Sequence, residues 1–413
     1  MKKKLKVIEL FAGVGGFRIG LEGYKRKSAS SGYIKNLSSA FEVVWSNQWE
    51  PGPKVQWASD IYIKQFGSQS HSNKDLAKVK IQEIPDHEVL VGGFPCQDYS
   101  VANSLRTAKG IMGIKGVLWW EIERIIFKLK RKKPKYLILE NVDRLLKSPA
   151  NQRGKDFAVM LTSLNDLGYV VEWRVINAAD FGFPQKRKRV FILAYKGKKN
   201  ENIFDYQFKE NKVKKEDSFD IKESREELTK KFGINDKISK FLNSGVSINR
   251  KVVTKSLKYP DPKKPTLLKD ILVKKSSEID EEFWIDKKDV PKWKEGKDGK
   301  TIDRTSMRDG KEFNYKFSEG NMSFPDKLDS PSRTIITSEG GKSPSRFKHI
   351  IKQKNKYRRL TAVELERLNM FPDNHTKIDN ITNSKRAFLM GNALVIGVVE
   401  KIGLCIKAHE SKD

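Results

Sequence analysis

Cysteine and histidine are scarce in this chain, with 2 of the one and 5 of the other in 413 residues. Cys96 and Cys405 cannot make a disulfide framework, and none of His71, His87, His349, His375 and His409 stands at ligand spacing from either thiol. A stapled secreted scaffold is excluded on that pattern, and no metal site is expected. Long apolar runs are missing as well, since no stretch approaches the roughly 18 to 20 residues that cross a bilayer. The short run Val7-Ile8-Glu9-Leu10 after Met1-Lys2-Lys3-Lys4 is broken by Glu9 and ended by glycines, which reads as a first strand and not as a signal peptide. The expectation is a soluble, cytoplasmic protein with reduced thiols and no membrane partner. No internal repeat stands out.

Acidic charge is the remaining shortage. The 52 Asp and Glu are outnumbered by 82 Lys and Arg, a formal net charge of +30. Such a field attracts polyanions, and nucleic acid is the first partner to consider. The lysines are spread along the whole chain, so charge alone does not separate DNA from RNA or from a compositional bias.

What is present is an α/β pattern. Short apolar runs alternate with amphipathic stretches through the first half, as in a parallel sheet with crossover helices. Strands are expected at 6–11, 41–46, 88–92, 136–140, 170–177 and 189–195. Leu118, Ile122, Ile125, Ile126 and Leu129 fall on one face at helical spacing, and Pro134 stops that helix. From 196 to about 355 charge is dense, periodicity is weak and prolines are frequent. Phe283, Trp284, Trp293, Phe313, Tyr315 and Phe324 predict a small core there rather than a disordered linker. Apolar helical spacing returns at 360–370 and 396–406.

Five segments carry chemistry. Phe11-Ala12-Gly13-Val14-Gly15-Gly16 follows the first strand and opens a helix, so its backbone amides can approach a ligand; the same loop also serves as a plain tight turn. Gln48-Trp49-Glu50 ends the second strand, where such folds place a polar side chain on ribose hydroxyls. Cys96, in Gly93-Phe94-Pro95-Cys96-Gln97, lies at the carboxyl end of an expected buried strand and is a candidate nucleophile, with a structural thiol as the alternative. Glu140-Asn141-Val142 ends the next strand and puts a carboxyl at the same sheet edge. Arg187 and Arg189, in Gln185-Lys186-Arg187-Lys188-Arg189, alternate toward one face or belong to a solvated charge run. Cys405, among Ile402, Leu404 and Ile406, reads as a packing thiol.

In this order, and with Ser100 and Gly391-Asn392 added, the segments resemble the DNA cytosine 5-methyltransferase family along nearly the whole chain. The resemblance implies a Rossmann-like, S-adenosylmethionine-dependent methyltransferase sheet with a second, smaller, loop-rich target-recognition domain. Residues 1–195, completed by 385–413, are the implied catalytic and cofactor-binding domain, 196–355 the recognition domain and 356–384 a hinge. It makes Cys96 the thiolate that adds to carbon 6 of cytosine and Glu140 the partner of ring nitrogen 3 and the exocyclic amine. Arg187 and Arg189 hold the base carbonyl and lower the thiol pKa. The implied cofactor pocket holds Phe11, Gly13, Gly16, Gln48, Trp49, Asp75, Leu76, Pro95, Leu118 and Asn392. Family members usually carry glutamate at the position of Gln48; a neutral amide with one acceptor oxygen is expected to weaken cofactor binding by about 1–2 kcal/mol unless Glu50 compensates. The loop 98–115 is placed to close over a flipped base. Arg333, in Ser330-Pro331-Ser332-Arg333-Thr334, is expected to organise the recognition region rather than read bases. Partners implied are double-stranded DNA and a cognate restriction endonuclease, with a monomer as the default. A transfer-RNA branch of the family and a catalytically silent DNA-binding protein are the alternatives.

Overall fold

Neighbouring residues of a strand point to opposite faces, yet Val7 and Ile8 of β1 (Leu5–Leu10) are both fully buried. Val7 belongs to one apolar cluster and Ile8 to another. Both faces of the sheet are therefore covered, which is why its central strands are continuous apolar runs. The computed structural model describes residues 3–24, 40–94, 117–209, 212–308 and 311–412.

After β1 come β2 (Phe41–Asn47), β3 (His71–Ser72), β4 (Val89–Gly93), β5 (Tyr136–Asn141), β6 (Tyr169–Asn177) and β7 (Lys188–Lys196). Then follow β8 (Lys212–Asp220), β9 (Ser244–Ile248) and β10 (Lys251–Lys258). These ten form one sheet in the order β3-β2-β1-β4-β5-β7-β6-β9-β10-β8. Pairing is parallel from β3 through β5 and antiparallel from β5 to β8. The core is thus the expected parallel sheet, extended by an antiparallel half into a mixed one.

The early helices are α1 (Gly16–Glu22), α2 (Trp57–Phe66), α3 (Val117–Lys128) and α4 (Lys155–Asp166). The short α5 (Arg225–Lys231), α6 (Leu268–Ile271) and α7 (Val290–Glu295) are followed by α8 (Ala362–Leu368), α9 (Asn383–Asn392) and α10 (Ile396–Glu410). In α3 the expected stripe is realised: Ile122, Ile125 and Ile126 are buried against the same face as Leu137 and Leu139. Ile402 and Ile406 of α10 pack on the opposite face with Ile19 and Leu21 of α1. The stretch Asn383–Glu410 is long and apolar enough to cross a membrane by composition, but most of it is buried in this core.

Two domain expectations change. The boundary at 195 does not interrupt the sheet, because β9 pairs with β6 and brings β10 and β8 with it. The expected hinge 356–384 is not a free connector, since Leu360, Leu365, Leu368 and Phe371 are buried in the core that holds α10. Weak periodicity hid the first, because the edge strand β8 is exposed over most of its length and carries almost no apolar alternation. Beyond β10 the chain is loop-rich as expected. Val273, Ile279 and Phe283 make a small third cluster with Trp284 packed on it. Phe313 and Tyr315 do not join a core; they are 43% and 40% exposed on a ribbon of β11 (Lys300–Arg308) and β12 (Lys311–Glu319), which pairs with no other strand among the described residues. The remaining hairpin is β13 (Ile350–Gln353) with β14 (Lys356–Arg359).

Candidate active site

Parallel register between β4 and β5 sets Gly93 beside Glu140 at the carboxyl edge of the sheet. A Cβ on Gly93 would stand 3.2 Å from Glu140 Oε2, so the glycine leaves the carboxylate its space. The Asn141 amide donates to the Phe94 carbonyl at 3.1 Å, tying the ends of the two strands together. Pro95, Cys96 and the loop 98–115 follow directly and lie outside the described residues.

Antiparallel pairing of β7 with β5 brings Arg189 to the same edge. Its Nε sits 3.0 Å from Glu140 Oε1. Burial pushes the Glu140 carboxyl up from the ordinary range, and Arg189 and then Arg187 pull it partly back. Burial thereby favours the protonated form of Glu140 more than it would be favoured in an exposed carboxyl. The two arginines do not act alike. Arg187 is buried and donates to the carbonyls of Ile335 and Gly391 at 3.3 and 2.9 Å. Its guanidinium braces α9 and the 335 segment against the sheet and reaches Glu140 only through its field, whereas Arg189 makes the ion pair. The charge pattern alone could not separate the two, because the brace depends on carbonyls about 150 to 200 residues away in the chain.

A cavity of about 440 Å³ opens beside this pair, lined by Asp143, Asn177, Lys186, Lys188, Arg189 and Thr334. It is basic and polar. Asn177 Oδ1 is buried with no hydrogen-bond partner among the described residues, while its amide donates to Asp180. Lys186 and Lys188 were visible in sequence only as part of a charge run.

On the other side of the edge, the loop after β1 has Phe11 and Gly13 at positive φ, 53° and 55°. A Cβ on Gly13 would meet nothing within 4 Å, so the backbone there faces open space. Gly16 instead sits against Leu394 and Phe371, where packing leaves little room for a side chain. Gln48 corrects its expectation. Its one acceptor oxygen takes the Gly13 N–H at 2.8 Å, and its amide nitrogen lies 3.5 Å from Glu50 Oε1. The side chain braces the loop, and one of the two lone pairs of its oxygen is already used. Trp49 is 37% exposed, so ordinary core burial does not explain its indole. Asp75 accepts from the Ala77 N–H and caps a short 3₁₀ turn, while Leu76 is buried in the core. Leu76 therefore offers a ligand little beyond backbone. Leu118 is half-buried in the first turn of α3, and Asn392 is exposed at the end of α9. An open backbone above Gly13, an exposed indole and the Glu50 carboxylate fit a nucleoside-type donor.

Three further residues singled out in the sequence have structural contacts. Gln185 is fully buried; its amide donates to the Leu368 carbonyl and Asn369, and its oxygen accepts from the Ile335 N–H. Arg333 grips the buried Asp326 at 2.7 and 3.2 Å, in keeping with an organising role. Cys405 is a buried thiol on the Phe204 carbonyl, pushed up to about 12 by burial and so unsuited to attack. Among the described residues no cluster of metal-ligating side chains is present.

Comparison with known proteins agrees with this geometry. A family model for C-5 cytosine-specific DNA methylases matches residues 5–408. The chain is 45% identical over 425 residues to the type II methyltransferase M.Sau3AI of Staphylococcus aureus, covering 99% of this chain and 97% of that one. It is 33% identical over 258 residues to the type II methyltransferase M.HaeII of Haemophilus aegyptius, covering 62% and 68%. Among solved structures the S. pombe Dnmt2 methyltransferase superposes with a TM-score of 0.61 at 17% identity, over 98% of this chain and 99% of that one, a likeness of fold. The match of nearly the whole chain, in family and in close relative, means that this protein belongs to the C-5 cytosine-specific DNA methylases and is an enzyme that methylates carbon 5 of cytosine in DNA.

Proposed function

We propose that the methyl donor is S-adenosylmethionine, that Cys96 is the nucleophile, and that the target cytosine is flipped out of double-stranded DNA to meet it. The observation that carries this reading is the Glu140–Arg189 pair at the sheet edge, with Asn141 fixing the backbone one residue before Pro95-Cys96. Attack on the face of a stacked base is blocked, so extrusion into the basic cavity at Lys186 and Lys188 precedes chemistry, at a cost of a few kcal/mol.

Cys96 adds as thiolate to carbon 6, forming the C–S bond. Glu140 in its protonated form, which burial favours, gives its proton to ring nitrogen 3, and the electron pair of the 5,6-bond becomes available at carbon 5. S-adenosylmethionine, when bound, supplies an electrophilic methyl group on a positively charged sulfur. Loss of the carbon 5 proton to a base then expels the Cys96 thiolate, and nitrogen 3 returns its proton to Glu140. Phe11, Gly13, Gly16, Trp49, Glu50, Asp75, Leu118 and Asn392 hold the donor, with Gln48 keeping the loop in shape.

Sequence reading is assigned to the 260–355 region. The β11–β12 ribbon is exposed over most of its length, and a two-stranded ribbon is of a size the major groove admits. The type II character of the relatives supports a place in a restriction-modification system with a cognate endonuclease. A monomeric, cytoplasmic enzyme completes the reading.

The test incubates purified protein and methyl-labelled S-adenosylmethionine with duplex DNA and with transfer RNA, alongside Cys96→Ser. Label in DNA that Cys96→Ser abolishes is the expected result, and base-resolution mapping then gives the target. Label in RNA alone, or unchanged labelling by Cys96→Ser, would overturn it.

A further inference from the structure

A second cavity, larger than the one at Arg189, lies away from Glu140. The end of α3 and the following turn face the 77–82 segment and the end of α4 across a groove of about 800 Å³. Seven of its lining residues are basic. Arg124 is committed to Glu121 and to the carbonyls of Leu76 and Val79, and Lys133 donates to the Leu167 carbonyl. Lys78, Lys80, Lys128, Lys130 and Arg131 have no ion-pair partner among the described residues. The one acid in the lining, Asp166, is taken by both Arg250 nitrogens at 2.8 and 2.7 Å and faces Arg225 at 3.9 Å. Five like charges thus surround a concavity that holds no free counter-charge, an arrangement that repels itself and attracts an anion. Phe127, 69% exposed on the rim, adds an apolar surface suited to sugar rings between phosphates.

Position decides which anion. Lys133 stands three residues before β5 begins at Tyr136, and Glu140 is near the other end of that strand. The groove therefore opens at the edge of the sheet opposite the active site. A duplex with a persistence length of about 50 nm does not bend from one edge to the other. We propose that this groove binds the phosphate backbone of a second double-stranded DNA segment, distinct from the one whose cytosine is methylated. On long DNA, distant segments reach the groove at high local concentration and hold the enzyme during transfer from one site to the next. The proposal takes DNA as substrate from the family and does not depend on the chemistry at Cys96.

The test uses the full chain and a short duplex carrying the mapped target, with Lys128→Glu, Lys130→Glu and Arg131→Glu combined; all three side chains are exposed, so the fold is not at stake. Titration at low salt counts duplexes bound per protein, and labelled S-adenosylmethionine reads methyl transfer on the same short duplex. The wild type is expected to bind two duplexes. The variant binds one, its affinity for the second falling at least about tenfold, with transfer on the first unchanged. One duplex per wild-type protein, a second duplex retained by the variant, or equal loss of both would each overturn the proposal. Absence of methyl transfer by the wild type would instead count against the proposed chemistry.

Discussion

The parallel half of the sheet and the cap that closes on it are stabilised in opposite ways. In the parallel half Val7, Ile8, Val89, Leu90, Val91, Leu137, Ile138 and Leu139 are fully buried, and burial of apolar area needs no particular partner. The cap, from Asp326 to Arg386, buries charge. Arg358 and Glu364 are fully inaccessible and joined by two bonds of 2.7 and 2.6 Å, and Glu364 also accepts from the amides of Val273 and Thr361. Glu366 is saturated by Arg386, Thr376 and Asn374, and His349 is held by Glu339 and Ser332. An apolar core tolerates conservative change, whereas a satisfied charge network fixes one arrangement. That matters because the cap supplies Ile335, and the α9 helix that follows from it supplies Gly391, to the Arg187 brace, two residues before the Arg189 that pairs with Glu140.

The sharpest test of that contrast sets one substitution from each half side by side. Arg358→Met should cost about 3–5 kcal/mol, because Glu364 is left as an unpaired buried charge. Ile138→Val in the parallel half should cost about 0.5–1.5 kcal/mol. Urea denaturation of both gives the comparison, and the double variant Arg358→Met with Glu364→Leu should recover most of the loss. Equal costs for the two single variants would end the distinction between the halves.

The same contrast explains what could be read in the sequence. Six strands were placed within one or two residues because their apolar runs are local and periodic. Glu140 was legible because it ends such a strand. The roles of Arg187 and Arg189 were not separable, since two arginines in a basic run look alike until one finds carbonyls from 335 and 391 and the other a carboxylate. Arg358, Glu364, Glu366 and Arg386 carry no sequence signal of burial, because the segments that cover them are packed on only in the folded chain. Gln48 was noticed as a departure, but its use on the Gly13 amide depends on how the loop turns back over β2.

Glu9 breaks the pattern from within the parallel half. It is fully buried in β1, takes one bond from the Tyr62 hydroxyl at 3.0 Å, and Oε1 has no hydrogen-bond partner among the described residues. Arg18 and Glu22 of α1 lie near it, and His71 stacks on Tyr62 with its own pKa lowered to about 4 by burial. Burial raises the Glu9 carboxyl to about 7. A carboxyl with a folded value above its unfolded one binds more protons when folded, so its contribution is present below about pH 4.5 and is lost as pH rises through 7. Glu9→Gln removes that dependence. The variant should match the wild type near pH 4.5 and exceed it by up to about 3 kcal/mol at pH 8. Stability curves that run parallel from pH 4.5 to 8 would show that Glu9 is not the source of this pH dependence.

The smallest effect concerns the open loop between the halves, where polar contacts are few and a single acceptor counts. Gln48 commits one lone pair of its oxygen to Gly13 and carries no charge, so the Glu50 carboxylate beside it is the stronger acceptor for a ribose hydroxyl. Glu50→Gln should therefore weaken S-adenosylmethionine binding by about 1–2 kcal/mol, roughly 5- to 30-fold in calorimetry. Adding Gln48→Glu to that variant should restore the loss, because a carboxylate at 48 can accept the Gly13 amide with one oxygen and a hydroxyl with the other. In the wild-type background the same substitution gains less, since two carboxylates would then stand about 3.5 Å apart. Unchanged affinity in Glu50→Gln would mean that Glu50 does not replace the missing acceptor, and that the neutral amide at 48 costs the enzyme nothing a donor can feel.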